Sequence, residues 1–133
     1  MNNDNPSSDF ITEVPAEDAS YTEVRCMYAS RSGFSELWEL RRLGKLHVLK
    51  SLQSVYRENP LYENLLRKEF DIGYKLEHAH ICRTLGWERH ETLGNCILME
   101  YVDGETLGDF MLSGKLTNAM AYKFINEMCD ALQ

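Results

Sequence analysis

The chain has 133 residues, 44% of them hydrophobic and 26% charged, which suits one soluble globular domain or part of one. Its net charge of -7 is unevenly spread: residues 1–24 hold six acids and no Lys or Arg, and the remainder sums to -1. A near-neutral body without a basic stripe gives no support for nucleic-acid binding, and apolar runs of only a few residues leave nothing to span a membrane.

The N-terminus also lacks the basic stretch and apolar run of a signal peptide. Residues 1–20, rich in Asn, Asp and Ser, read as a poorly ordered acidic tail. YTEVRCMY (21–28) alternates like a strand, SRSGFS (30–35) is a small-residue turn, and ELWELRR (36–42) is a second strand. Leu43 and Gly44 turn into a third strand, LHVLKSL (46–52). Asn59 suits a helix N-cap and Pro60 the first helical position, so a helix is expected from there to about Lys75. Two strands follow, near 82–88 and at CILMEYV (96–102), joined by a polar turn around 90–95. Short helical patterns at 106–112 and from Thr117 onward complete the order, an α+β arrangement with an antiparallel sheet. Cys26, Cys82, Cys96 and Cys129 share no metal-like spacing and read as reduced thiols of a cytoplasmic protein.

Two charges stand in apolar patterns. Alternation along the third strand puts Lys50 on one face with Leu46, Val48 and Leu52. In the helix, Glu69 falls within the stripe of Leu65, Ile72 and Leu76. Alone, each has an ordinary explanation, a solvent-reaching Lys stem or a surface i,i+4 pair. Together they are explained by a helix packed on the sheet with Glu69 turned to Lys50, an ion pair beside a cleft. If the pair is buried, losing one partner costs roughly 3–5 kcal/mol.

With these residues the sequence resembles the eukaryotic-like serine/threonine protein kinases. HVLK (47–50) matches the strand whose Lys contacts ATP phosphates, and Glu69 matches the helix Glu that pairs with it. LEHAHICRTLG (76–86) is similar to the stretch between helix and fourth strand, and ILMEYVDGETLGDF (97–110) to the segment joining the two lobes. The resemblance implies a kinase N-terminal lobe over 21–102: a five-stranded antiparallel sheet with one main helix. Two helices of an incomplete C-terminal lobe would follow over 103–133. It implies Lys50 and Glu69 as the catalytic pair. It implies ATP and Mg2+ as cofactors, with Met99 at the back of the adenine pocket, the Glu100 carbonyl and Val102 amide on the adenine edge, Leu37 and Val48 above the ring, and Thr106 near the ribose. Ser30, Arg31, Ser32, Gly33, Phe34 and Ser35 would form the phosphate flap.

Departures from the family pattern are also plain. The three motif glycines of the flap are Ser30, Ser32 and Ser35, and glycine matters there because the backbone must approach phosphate closely. Gly73 stands where the family has a bulky apolar residue, and Thr84 replaces its apolar partner. The His-Arg-Asp and Asp-Phe-Gly motifs are not among the 133 residues, so no metal ligand is assigned and this chain alone is expected to be inactive. The parent would phosphorylate Ser or Thr of proteins. A pseudokinase or scaffold lobe holding a protein partner, and a small-molecule phosphotransferase of similar fold, stand as alternatives. The apolar stripe Ala121, Ile125, Met128 and Leu132 has no expected cover, so self-association or fraying over 117–133 is expected.

Overall fold

A computed structural model describes residues 21–133, and the acidic stretch 1–20 expected as a tail lies outside the described residues. Strands β1 (Tyr21–Ala29), β2 (Ser35–Arg42) and β3 (Lys45–Leu52) come first, then a 3-10 turn at Ser54–Tyr56 and helix α1 (Pro60–Gly73). Strands β4 (Thr84–His90) and β5 (Gly94–Glu100) follow, with helices α2 (Leu107–Leu112) and α3 (Asn118–Ala131). The sheet order is β1-β2-β3-β5-β4 and each neighbouring pair is antiparallel, so the expected five-stranded α+β lobe is present.

Turn chemistry sets the registers. Leu43 and Gly44 both have positive φ, 53° and 79°, the backbone that joins two twisted strands through a two-residue hairpin. The β4–β5 hairpin closes tighter than the sequence suggested. His90 Nδ1 accepts from the backbone N–H of Thr92 and Leu93 at 3.2 and 3.3 Å, and buried Leu93 ties the turn to the core. The two strands therefore run to 84–90 and 94–100 rather than 82–88 and 96–102, which leaves Val102 outside the sheet.

Both faces of the sheet carry core. One face packs Leu40, Leu49, Leu93, Cys96 and Leu98, with Tyr21 and Trp38 at its margin. The other packs Leu52, Leu66 and Ile97 with a ring of aromatics that includes Phe34, Tyr56, Tyr62, Phe70 and Trp87. The second face holds α1, whose Asn59 side chain accepts from Leu61 N–H at 3.0 Å and whose first residue is Pro60.

The buried stripe of α1 differs from the expected one. Leu65, Ile72 and Leu76 are 41%, 66% and 45% exposed, and Tyr62, Leu66 and Phe70 face the sheet instead. The reason is the rings: Tyr62 stacks near Phe34 and Tyr56 at 5.2 and 4.6 Å, and Phe70 lies 5.6 Å from Trp87. The helix also stops at Gly73 rather than near Lys75, so Gly73 is a terminal residue and not an interior one.

Arg57 ties the 3-10 turn to the sheet. Its Nε donates to Leu52 O at 2.9 Å and its guanidinium meets Glu36 Oε2 at 2.7 Å, where the Trp38 indole N–H also donates at 2.8 Å. Further along, Thr106 and Thr117 cap α2 and α3 by accepting from Asp109 and Met120 N–H at 3.0 and 3.2 Å. α3 meets the loop between α1 and β4 through His78 Nε2 and Asp130 Oδ2 at 3.2 Å. Its Ile125, Met128 and Leu132 stay exposed. No helix among the described residues is long and apolar enough to cross a membrane.

Candidate functional site

The strand registers bring several of the sequence-predicted residues together on one face of the sheet. On β3, Val48 pairs with Met99 of β5, while Lys50 pairs with Ile97 on one side and Leu37 of β2 on the other. Val48 and Lys50 are two residues apart and so share a face, with Lys50 about 7 Å further along the strand.

Beside Val48 lies an open cavity of 190 Å³ lined by Leu37, Val48, Met99, Glu100 and Val102 together with Met27, Cys82 and Tyr101. Five of the predicted binding residues therefore meet around one space. Met27, Cys82 and Tyr101 were not singled out from the sequence. Tyr101 and Cys82 lay inside the quoted motifs, and Met27 sits on β1 beside Tyr28, which pairs with Leu37. The cavity wall is almost wholly apolar, which suits a flat aromatic group.

Glu100 is well anchored in that segment. Its N–H donates to Arg83 O at 3.1 Å, and its carboxylate accepts from Arg83 N–H at 2.7 Å. The Cys82 thiol donates weakly to the Glu100 carbonyl at 3.7 Å. Burial, and then the Glu100 carboxylate, push the Cys82 thiol up from its ordinary value.

Lys50 Nζ and Glu69 form an ion pair between β3 and α1. The Lys50 side chain is 24% exposed and that of Glu69 is 46% exposed, so the pair is solvent-screened and not buried. Its contribution to stability is about 0–1 kcal/mol, well below the figure for a buried pair. Glu69 sits beside the buried stripe, three residues after Leu66, and meets Lys50 of the central strand β3.

The flap residues are arranged differently from a loop open to phosphate. Gly33 N–H donates to Ser30 Oγ at 2.8 Å, and Ser30 N–H to Ser35 O at 3.1 Å. Gln53 holds the turn from β3: its backbone N–H meets Phe34 O at 2.8 Å, and its amide nitrogen donates to Ser30 O and Ser35 O at 2.7 and 3.0 Å. Phe34 turns inward against Tyr62 and Tyr56, away from the cavity. Arg31 and Ser32 are exposed. Ser30, Arg31, Ser32, Gly33, Phe34, Ser35 and Thr106 do not line the cavity, and the Thr106 hydroxyl is spent on capping α2.

Among the described residues no group of three or more His, Cys, Asp or Glu side chains could hold a metal ion. The four cysteines are free thiols, Cys96 buried and the other three exposed.

Solved structures share this architecture. The kinase domain of Mycobacterium tuberculosis PknI superposes with a TM-score of 0.65 at 22% identity, over 86% of this chain and 46% of that one. A Rad53 fragment in complex with AMP-PNP gives a TM-score of 0.55 at 21% identity, over 82% of this chain and 31% of that one. The chain thus spans about half of the PknI domain and about a third of the Rad53 chain. No protein-family model matches the chain, and no curated protein matches it in sequence. The chain has a protein-kinase-like fold, and its five-stranded antiparallel sheet with α1 is that of a kinase N-terminal lobe.

Proposed function

We propose that this chain is the ATP-binding lobe of a serine/threonine protein kinase, followed over 103–133 by the first helices of the second lobe. The observation that carries the reading is the Lys50–Glu69 pair standing one strand step from a cavity lined by Leu37, Val48, Met99 and Val102. An adenine would lie in the cavity between the apolar side chains, with its edge on the backbone of Glu100 and Val102. The Lys50 ammonium, oriented by Glu69, would hold the phosphates. The AMP-PNP bound by Rad53 supports nucleotide as the ligand class.

The residues present fit nucleotide and not the whole reaction. Bound Mg2+ supplies charge neutralisation between phosphates in this chemistry, and its ligands in the family lie in the Asp-Phe-Gly and catalytic-loop motifs, outside these 133 residues. This chain binds and orients; transfer to a protein hydroxyl belongs to the parent. Its exposed 117–133 stripe is the surface on which it would self-associate.

Titration of the 133-residue chain with AMP-PNP, followed by amide NMR shifts, tests the reading. Saturable shifts at Val48, Glu100 and Val102 are expected. Lys50→Met should weaken binding about ten-fold or more, since a charge-assisted bond to phosphate contributes roughly 1.5–3 kcal/mol. Thermal stability should stay nearly unchanged in that variant. No saturable shift, or equal affinity for Lys50→Met, overturns the reading.

One observation favours a second reading, a lobe that holds a protein partner. Gly33 N–H, a donor that phosphate would use, is already taken by Ser30 Oγ. A Ser30→Gly chain that binds AMP-PNP no better than the parent chain would remove that argument.

A further inference from the structure

On the far side of the connecting segment lies a second groove, of 240 Å³, lined by Lys45, Leu46, His47, Arg83, Leu85, Glu100 and Tyr101. It shares Glu100 and Tyr101 with the nucleotide-side cavity. Its lining combines the apolar Leu46 and Leu85 with the basic Lys45 and Arg83. Lys45 forms no ion pair among the described residues, while Arg83 NH1 stands a loose 3.9 Å from Glu77. The other basic side chains at this end are occupied: Arg41 meets Glu23 at 2.8 Å and Arg42 meets Glu88 at 2.7 Å. The one carboxylate in the groove, Glu100, is held on Arg83 N–H.

We propose that this groove takes the acidic stretch of the same chain that precedes Tyr21. Residues 1–20 contain Asp4, Asp9, Glu13, Glu17 and Asp18, no Lys or Arg, and the apolar Phe10, Ile11 and Val14. That composition complements a lining of basic and apolar side chains. Attachment points the same way. Tyr21 pairs with Arg42 and Arg42 with Lys45, so the stretch is tethered two strand spacings, about 10 Å, from Lys45. Four extended residues cover roughly 13 Å, which brings Glu17 and Asp18 within reach of Lys45. A tether this short supplies a high effective concentration without a large interface.

Carbodiimide cross-linking of the full chain, mapped by mass spectrometry, tests the proposal, because it joins a carboxylate to a lysine only at contact. Links from Glu13, Glu17 and Asp18 should fall mainly on Lys45 rather than on Lys68, Lys75, Lys115 or Lys123. A mixture of light and 15N-labelled chains should show these links within one chain. Arg83→Glu, and independently Glu17→Gln with Asp18→Asn, should lower the Lys45 links from the remaining acids at least five-fold, and 0.5 M salt should act likewise. Links spread evenly over the other lysines, links between chains, or yields unchanged by the variants and by salt each overturn it. None of these readouts depends on nucleotide, so the result stands apart from that of the AMP-PNP titration.

Discussion

Gly73 at the end of α1 lies directly against Thr84 at the start of β4, so close that a Cβ on Gly73 would come 2.6 Å from Thr84 Oγ1. Two of the departures from the family pattern are therefore one feature: the missing side chain on the helix makes room for the hydroxyl-bearing one on the strand. This contact lies one helical turn beyond Glu69, so it fixes how closely that end of α1 approaches the sheet.

Gly73→Ala alone should destabilise the chain by about 1–2 kcal/mol, since overpacking outweighs any helix-propensity gain. In a Thr84→Ala background the same change should be neutral or stabilising by up to about 1 kcal/mol. Urea unfolding of the four chains gives the coupling, and equal effects of Gly73→Ala in both backgrounds would count against steric contact as the cause.

Leu43 holds a left-handed backbone at φ 53° in the β2–β3 turn and is 91% exposed. A non-glycine residue of this shape costs roughly 1–2 kcal/mol there. Leu43→Asn, which tolerates that conformation, should raise stability by about 0.5–1 kcal/mol. The denaturation midpoint should rise with no change in slope.

The Cys96 thiol is pushed up to about 12, chiefly by burial. Its raised folded value means the native state holds the proton longer, so this contribution is intact below pH 9 and is lost as pH climbs toward 12. The stability of the unsubstituted chain should therefore fall more steeply over that window than that of Cys96→Ala. At pH 8, Cys26 and Cys129 should alkylate readily, Cys82 more slowly, and Cys96 only after unfolding.

Ile125 is 53% exposed on α3, flanked by Met128 and Leu132 on the same stripe. If the chain pairs through this face, burying an Ile contributes roughly 1.5–3 kcal/mol, so Ile125→Lys should weaken self-association ten-fold or more. Sedimentation equilibrium measures it, and a monomeric parent chain would dispose of the idea.

Much of this structure was legible in the residues. Alternation placed β1 to β3, Asn59 with Pro60 placed the start of α1, and two charges set in apolar patterns, Lys50 and Glu69, anticipated the ion pair. The buried stripe of α1 was not legible. Leu65, Ile72 and Leu76 look as suitable as Tyr62, Leu66 and Phe70 on periodicity alone, and the choice depends on where Phe34 of the β1–β2 turn and Trp87 of β4 stand. The flap was equally opaque, because its fastening comes from Gln53, a residue with no local signal whose amide happens to end beside the turn. The groove behind the connecting segment belongs to the same class, being assembled from three strands that only the registers bring together.

That fastening has a mechanical consequence. Both feet of the turn, Ser30 and Ser35, are clasped by one Gln53 side chain, and the Gln53 backbone N–H holds Phe34 beside them, so the flap is coupled to the segment that follows β3. A shift of the flap therefore carries that segment with it. Such a shift reaches the root of α1 through Phe34, which packs against Tyr56 and Tyr62.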